Sequence, residues 1–227
     1  MNPSAPPQTR VAYSVINPIR LLVYSLVLLV LATSSLAGDN PVARLEHFFQ
    51  TTDSLSGRFS QTVVDADGEV LQQSRGSVKL LRPGRFAWRY ETPYEQTIIA
   101  DGDNLWIYDK DLAQVTVRSL SQALGTAPIM LLSQASPLHE AFEVISSERR
   151  GGLDWVTLKP EAADTDFTRV QMALGQAGLK QMVLDDQFGQ QTLIRFSILQ
   201  TDVELKPADF EFKVPAGVDL IGPDQPS

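Results

Sequence analysis

Cysteine is absent from the 227 residues, and histidine occurs twice, as His47 and His139. Without cysteine there can be no disulfide framework, no thiolate metal centre and no acylated N-terminal cysteine. Neither histidine has a second one three or four residues away, so the helical spacing of a zinc pair is missing. Asp65-Ala66-Asp67-Gly68 resembles a fragment of a calcium loop but lacks the bidentate glutamate that completes one, and it reads as a turn. No Gly-x-Ser-x-Gly elbow presents a serine to His139, and no glycine-rich phosphate loop opens a helix. The chain offers no catalytic residue set, cofactor motif or metal-ligand set, and a small hydrolase is the weakest of the readings it leaves open.

Charge is also missing from the N-terminus, where Arg10 and Arg20 are the only charged side chains before Asp39. Leu21 to Ala32 is an apolar run of signal-peptide length, too short to favour a membrane span. Ser35-Leu36-Ala37 follows with small residues at the −3 and −1 positions of a cleavage site. Residues 1–37 therefore read as a secretory leader cut after Ala37, leaving 38–227 as a single domain; an uncleaved N-terminal anchor is the alternative. Losing Arg10 and Arg20 takes the formal charge from −8 to −10. So acidic a domain argues against nucleic acid or an anionic bilayer as partner. With no cysteine in an exported chain, the core alone must carry its stability.

What is present is mostly strand. Asn40-Pro41 supplies an N-cap and a first helical residue, and Val42, Leu45, Phe48 and Phe49 then share one helix face, ending near Thr51–Asp53. This helix either covers a sheet or serves as a movable lid. Six antiparallel strands follow between Leu55 and Arg118, with turns at Asp65–Glu69, Asp101–Asp103 and Asp109–Asp111, and a bend or bulge at Gly76. Two short apolar helices come next, one over Leu120, Ala123 and Leu124 ended by Gly125, and one over 128–133 opened by Pro128. Strands resume near 142–145, 153–158, 168–172, 179–184 and 190–198. That makes about eleven strands, with Phe210–Phe212 a possible short edge and a loosely held tail from Gly217.

The most informative stretch is Leu81 to Tyr90. Pro83 biases Arg82 toward an extended backbone, and Gly84 permits the chain to reverse. Beyond the turn Phe86, Trp88 and Tyr90 share one face of a strand, and Arg85, Ala87 and Arg89 the other. Three aromatics in register line either a packed core or a ligand space. Arg82 beside its Pro-Gly turn reads by itself as a surface charge.

The ordered set from Gly76 through Arg82-Pro83-Gly84-Arg85-Phe86-Ala87-Trp88, then Tyr90 to Pro93, Ala100 to Asp109, Gln114 to Val117 and Thr126 to Leu132, closely resembles the LolA family. These are the periplasmic outer-membrane lipoprotein carriers of Gram-negative bacteria. The likeness is strongest from Phe59 to Leu132 and hard to place after Ser133. It implies an incomplete antiparallel β-barrel with short helices as a lid over a hydrophobic cavity for acyl chains. It further implies a periplasmic monomer that takes outer-membrane lipoproteins from an inner-membrane ABC transporter and delivers them to an outer-membrane receptor. On this resemblance Arg82 latches the lid by bonding to backbone carbonyls near Phe49, Leu132 and Ser133. Phe86, Trp88, Tyr90, Met130 and Leu131 then line the acyl-chain cavity. From a different class, a soluble β-rich periplasmic adaptor or sensor that binds lipid anchors or peptides without carrying them fits the same composition.

Overall fold

The computed structural model describes residues 40–122, 129–133, 137–161 and 165–222. The expected leader and the segment from Ala123 to Pro128 lie outside the described residues. Helix α1 spans Pro41–Thr51, with the Asn40 side chain accepting from the Val42 amide at 3.0 Å and Pro41 in the first turn. Its buried face is Leu45, Phe48 and Phe49, with Val42 packed at the margin. The apolar spacing of this segment dictates that face.

Six strands follow: β1 Ser54–Val64, β2 Val70–Leu81, β3 Arg85–Thr92, β4 Gln96–Asp101, β5 Asn104–Asp109 and β6 Gln114–Ser119. A 3-10 turn at Leu120–Gln122 and two one-turn helices, α2 Met130–Ser133 and α3 Leu138–Ala141, lead into the second run. That run is β7 Phe142–Arg150, β8 Leu153–Pro160, β9 Phe167–Gly175, β10 Gly178–Asp186 and β11 Gln191–Thr201. A 3-10 turn at Pro207–Phe210 and a last strand, β12 Asp219–Ile221, complete the described chain.

Among the described residues all twelve strands form one sheet, in the order β12-β6-β5-β4-β3-β2-β1-β11-β10-β9-β8-β7. Every neighbouring pair is antiparallel except β12 with β6. The two ends of the sheet, β12 and β7, do not pair with each other, so this is an incomplete barrel. Gly76 sits where the β2–β3 register shifts, and a Cβ there would lie 1.8 Å from the Arg89 carbonyl oxygen and 2.9 Å from the Phe59 ring. Only glycine lets β3 approach this closely, and the bend it permits curves the sheet.

Two expectations for the C-terminus are corrected. Phe210–Phe212 is not a strand, because Phe210 ends the 3-10 turn and is fully buried. The tail is not loose over Asp219–Ile221, which pairs in parallel with Gln114–Thr116. The physical reason is a second core on the convex face. Ala87, Ile99, Trp106, Val115, Val117 and Phe210 pack there, and Leu205, Phe212, Val218 and Leu220 lie against them. The outward alternation of β3–β6 is thus apolar too, and the chain beyond β11 covers it.

Candidate functional site

The concave face holds the main core, and the aromatic strand lies at its centre. Phe86 and Trp88 are buried, as are Met130, Leu131 and Leu132 of α2. The Trp88 ring stacks on Phe59 with centroids 3.8 Å apart, and Tyr90 meets Phe59 edge-on at 5.4 Å. Phe196 of β11 meets Trp88 edge-on. In this conformation the space between sheet and helices is filled by the protein's own side chains, and Tyr90 is half-buried at its border.

One residue joins the turn before β3 to both helices. The Arg82 guanidinium donates through Nε to the Leu132 carbonyl at 2.9 Å and through Nη1 to the Phe49 carbonyl. Its Cζ stands 5.0 Å from the centre of the Phe49 ring. The Gly84 amide adds a bond to the Ser133 carbonyl at 3.3 Å, with Gly84 in the left-handed region at φ 70°. Carbonyls at a helix C-terminus have no partner within the helix, so a planar cation with several donors suits two such ends at once. Burial pulls the Arg82 pKa below the usual arginine value, with the Asp53 carboxylate acting against that pull. The guanidinium stays charged, and its Nη2 is buried without a hydrogen-bond partner among the described residues.

Arg82, Phe49, Leu132 and Ser133 are therefore brought together at one end of the sheet, and Phe86, Trp88, Tyr90, Met130 and Leu131 meet in the core beside them. Two features of the site escaped the sequence reading. Arg44 of α1 pairs with Asp154 of β8 and donates to the Gly175 carbonyl at 2.6 Å, with the Asp154 side chain only 3% exposed. A signal existed, since Asp154 alternates with Val156 and Leu158 and so places a carboxylate on an apolar face. The second feature is a hydrogen bond from the Tyr90 hydroxyl to Gln61 Oε1 at 3.0 Å, for which no local pattern spoke. His47 and His139 are both exposed, on α1 and α3.

A family model described as outer membrane lipoprotein carrier protein LolA matches residues 50–213. The chain belongs to the LolA family. The matched span contains Arg82 and the aromatic strand, and it runs past Ser133 through β7–β11 to Lys213, where the residue-by-residue likeness was hard to place. An outer-membrane lipoprotein carrier protein of Methylobacillus flagellatus is 38% identical over 202 residues, covering 89% of this chain and 98% of that protein. Another, of Alkalilimnicola ehrlichii, is 41% identical over 180 residues, covering 79% of this chain and 82% of that protein.

Proposed function

We propose that this LolA-family chain is a periplasmic chaperone that shields the acyl chains of outer-membrane lipoproteins in transit. In this reading residues 1–37 are removed on export and 38–227 form the carrier domain. The protein, a monomer, accepts lipoproteins from an inner-membrane ABC transporter and yields them to an outer-membrane receptor. It performs no covalent chemistry. The observation that carries the reading is Arg82, which ties the ends of α1 and α2 across an apolar core that no closed barrel encloses.

The energetics explain the design. Each CH₂ moved out of water is worth about 0.8 kcal/mol, so three acyl chains with roughly 45 methylenes carry about 30 kcal/mol or more. Free diffusion through an aqueous compartment is negligible against that term. A carrier must replace membrane contacts yet still let go. A core that collapses on itself when empty lowers the net affinity, and Arg82 stabilises the collapsed state further. Phe86, Trp88, Tyr90, Met130 and Leu131 exchange contacts with one another for contacts with acyl chains when the latch opens.

The deciding experiment is transfer. Incubated with inner-membrane vesicles holding a triacylated lipoprotein and its transporter, the protein should release that lipoprotein as a soluble one-to-one complex. Binding that leaves the lipoprotein in the membrane would overturn the carrier reading in favour of a lipid-anchor sensor.

A further inference from the structure

The concave face changes character along its strands. Toward the Arg82 end it is apolar, with Val78, Leu80, Phe86, Trp88 and Ile98 in the core. Toward the opposite end, where the β1–β2, β3–β4 and β5–β6 turns lie, the same alternation places Gln61, Gln72, Ser74, Gln96 and Asp109. These residues line a groove of about 510 Å³, with Tyr90 at its inner border and Tyr94, Asp111 and Leu112 at its rim. The inner part is rich in uncharged hydrogen-bonding groups, including the Tyr90–Gln61 pair and a Gln72 amide donating to the Ser74 hydroxyl at 3.0 Å.

A second observation lies just behind Tyr90, at the inner border of this groove. Trp88 is 1% exposed, and its indole Nε1 is buried without a hydrogen-bond partner among the described residues. It neighbours the Tyr90 hydroxyl, whose pKa burial raises while the Trp88 indole and Gln61 act against that rise. A buried donor left unmet is costly, and such donors are rare unless something else fills the need.

We infer that this groove binds the polar junction of the lipid anchor, the glyceryl ester and N-terminal amide carbonyls, with Trp88 Nε1 and the Gln61 and Gln96 amides as donors. The inference rests on the carrier reading above and says which part of the cargo is recognised beyond its chains. Neither acyl chains nor ester carbonyls distinguish a lipoprotein from a phospholipid, because both carry them. The rim makes that distinction through Asp109 and Asp111. The one lysine between them, Lys110, is engaged with Glu95 at 2.8 Å. A phosphate held at this depth would face two carboxylates, whereas the acylated cysteine junction is neutral.

The test compares three probes of matched chain length on the purified protein: a triacyl lipopeptide, its ether analogue lacking the ester carbonyls, and phosphatidylglycerol. The lipopeptide should bind about tenfold or more tightly than the ether analogue. Trp88→Phe and Gln61→Leu should each narrow that gap, weakening the lipopeptide several-fold more than the ether analogue. Phosphatidylglycerol should compete poorly, and should gain when Asp109→Asn and Asp111→Asn are combined. Equal affinity for ester and ether probes in the unaltered protein overturns the inference. So do variants that weaken both probes alike, because Trp88 and Gln61 would then serve packing only. Phosphatidylglycerol competing as well as the lipopeptide overturns the assignment of the junction to a lipoprotein. If none of the three probes binds the unaltered protein saturably, the carrier reading itself falls, and this inference with it.

Discussion

At the scale of single residues, Arg82 carries the sharpest consequence. Its bonds to two helix-end carbonyls exist only when both helices are seated, so they stabilise the closed state alone. Charge-assisted bonds of this kind contribute roughly 1.5–3 kcal/mol each. Arg82→Leu removes them and adds apolar surface beside the core. Loading should survive, since it needs only the cavity, while delivery to the receptor should slow at least tenfold. Arg82→Lys should fall between, because an ammonium keeps the charge but cannot bridge two carbonyls with a planar fork. Arg89→Leu is the control. Arg85 is less suitable, because its guanidinium lies against the Gly102 turn and its Nε is buried without a hydrogen-bond partner among the described residues. Lipoprotein retained after incubation with receptor measures all of these, and fast unloading of Arg82→Leu would reduce Arg82 to a structural residue. Asp101 supports a second prediction, this one about pH. Burial opposes its ionisation, but bonds from the Asn104 and Asp103 amides and the Trp106 indole outweigh that and hold its carboxyl below the usual range. A lowered folded pKa contributes stability that is present above the unfolded value and is lost as pH falls through the folded one. Asp101→Asn should thus lower stability by about 1 kcal/mol at neutral pH. That difference should shrink in thermal melts taken below about pH 4, the unfolded range of a carboxylate. A gap unchanged down to pH 2 would show that ionisation of Asp101 contributes nothing.

At the scale of elements, helix α1 is held by two arginines of different kind. Near its N-terminus Arg44 reaches Asp154 and the Gly175 carbonyl, a contact carried by a charge with almost no exposure. At its C-terminus Arg82 holds the Phe49 carbonyl, a neutral acceptor. Removing one member of a buried ion pair leaves an unmet charge and is strongly destabilising, by about 3–5 kcal/mol where both partners are buried. Arg44 is a quarter exposed, so the lower half of that range applies to Asp154→Ala. The expected outcome is a lower urea midpoint together with faster amide exchange along Pro41–Thr51, while β3–β5 keep their protection. Exchange that rises equally in every strand would show that Asp154 supports the whole sheet and not the helix. The two anchors also suggest the direction of opening. In the proposed opening, the charged one would restrain the N-terminal half of α1 while the C-terminal half swings away from the turn before β3.

At the scale of the whole molecule, the sequence revealed the inner face and concealed the outer one. Alternation along β1–β6, the Asn40-Pro41 helix start and the breaking role of Gly76 are local signals, each fixed by backbone chemistry within a few residues. The carbonyl partners of Arg82 were legible only through family resemblance, because a side chain bonding to backbone 33 and 50 residues away leaves no periodic trace. The convex core went unread for a similar reason. Ala87 shares its face with Arg85 and Arg89, which gives no sign of a core, yet it is 1% exposed beneath the chain that returns from β11. This gives one sheet two apolar faces with opposite duties. On the proposed function the inner contacts are exchanged for acyl chains, so part of the fold's stability has to reside elsewhere, and the outer core around Phe210 is the place for it. Phe210→Ala should therefore destabilise the protein by about 3–5 kcal/mol, the range for a fully buried phenylalanine. Its affinity for an apolar fluorophore displaceable by fatty-acyl chains should stay within about twofold of the unaltered protein, measured well below the melting temperature. Phe86→Ala, on the inner face, should change that affinity markedly. If Phe210→Ala alters ligand affinity as much as Phe86→Ala does, the two faces are coupled through the sheet, and the division of labour between them does not hold.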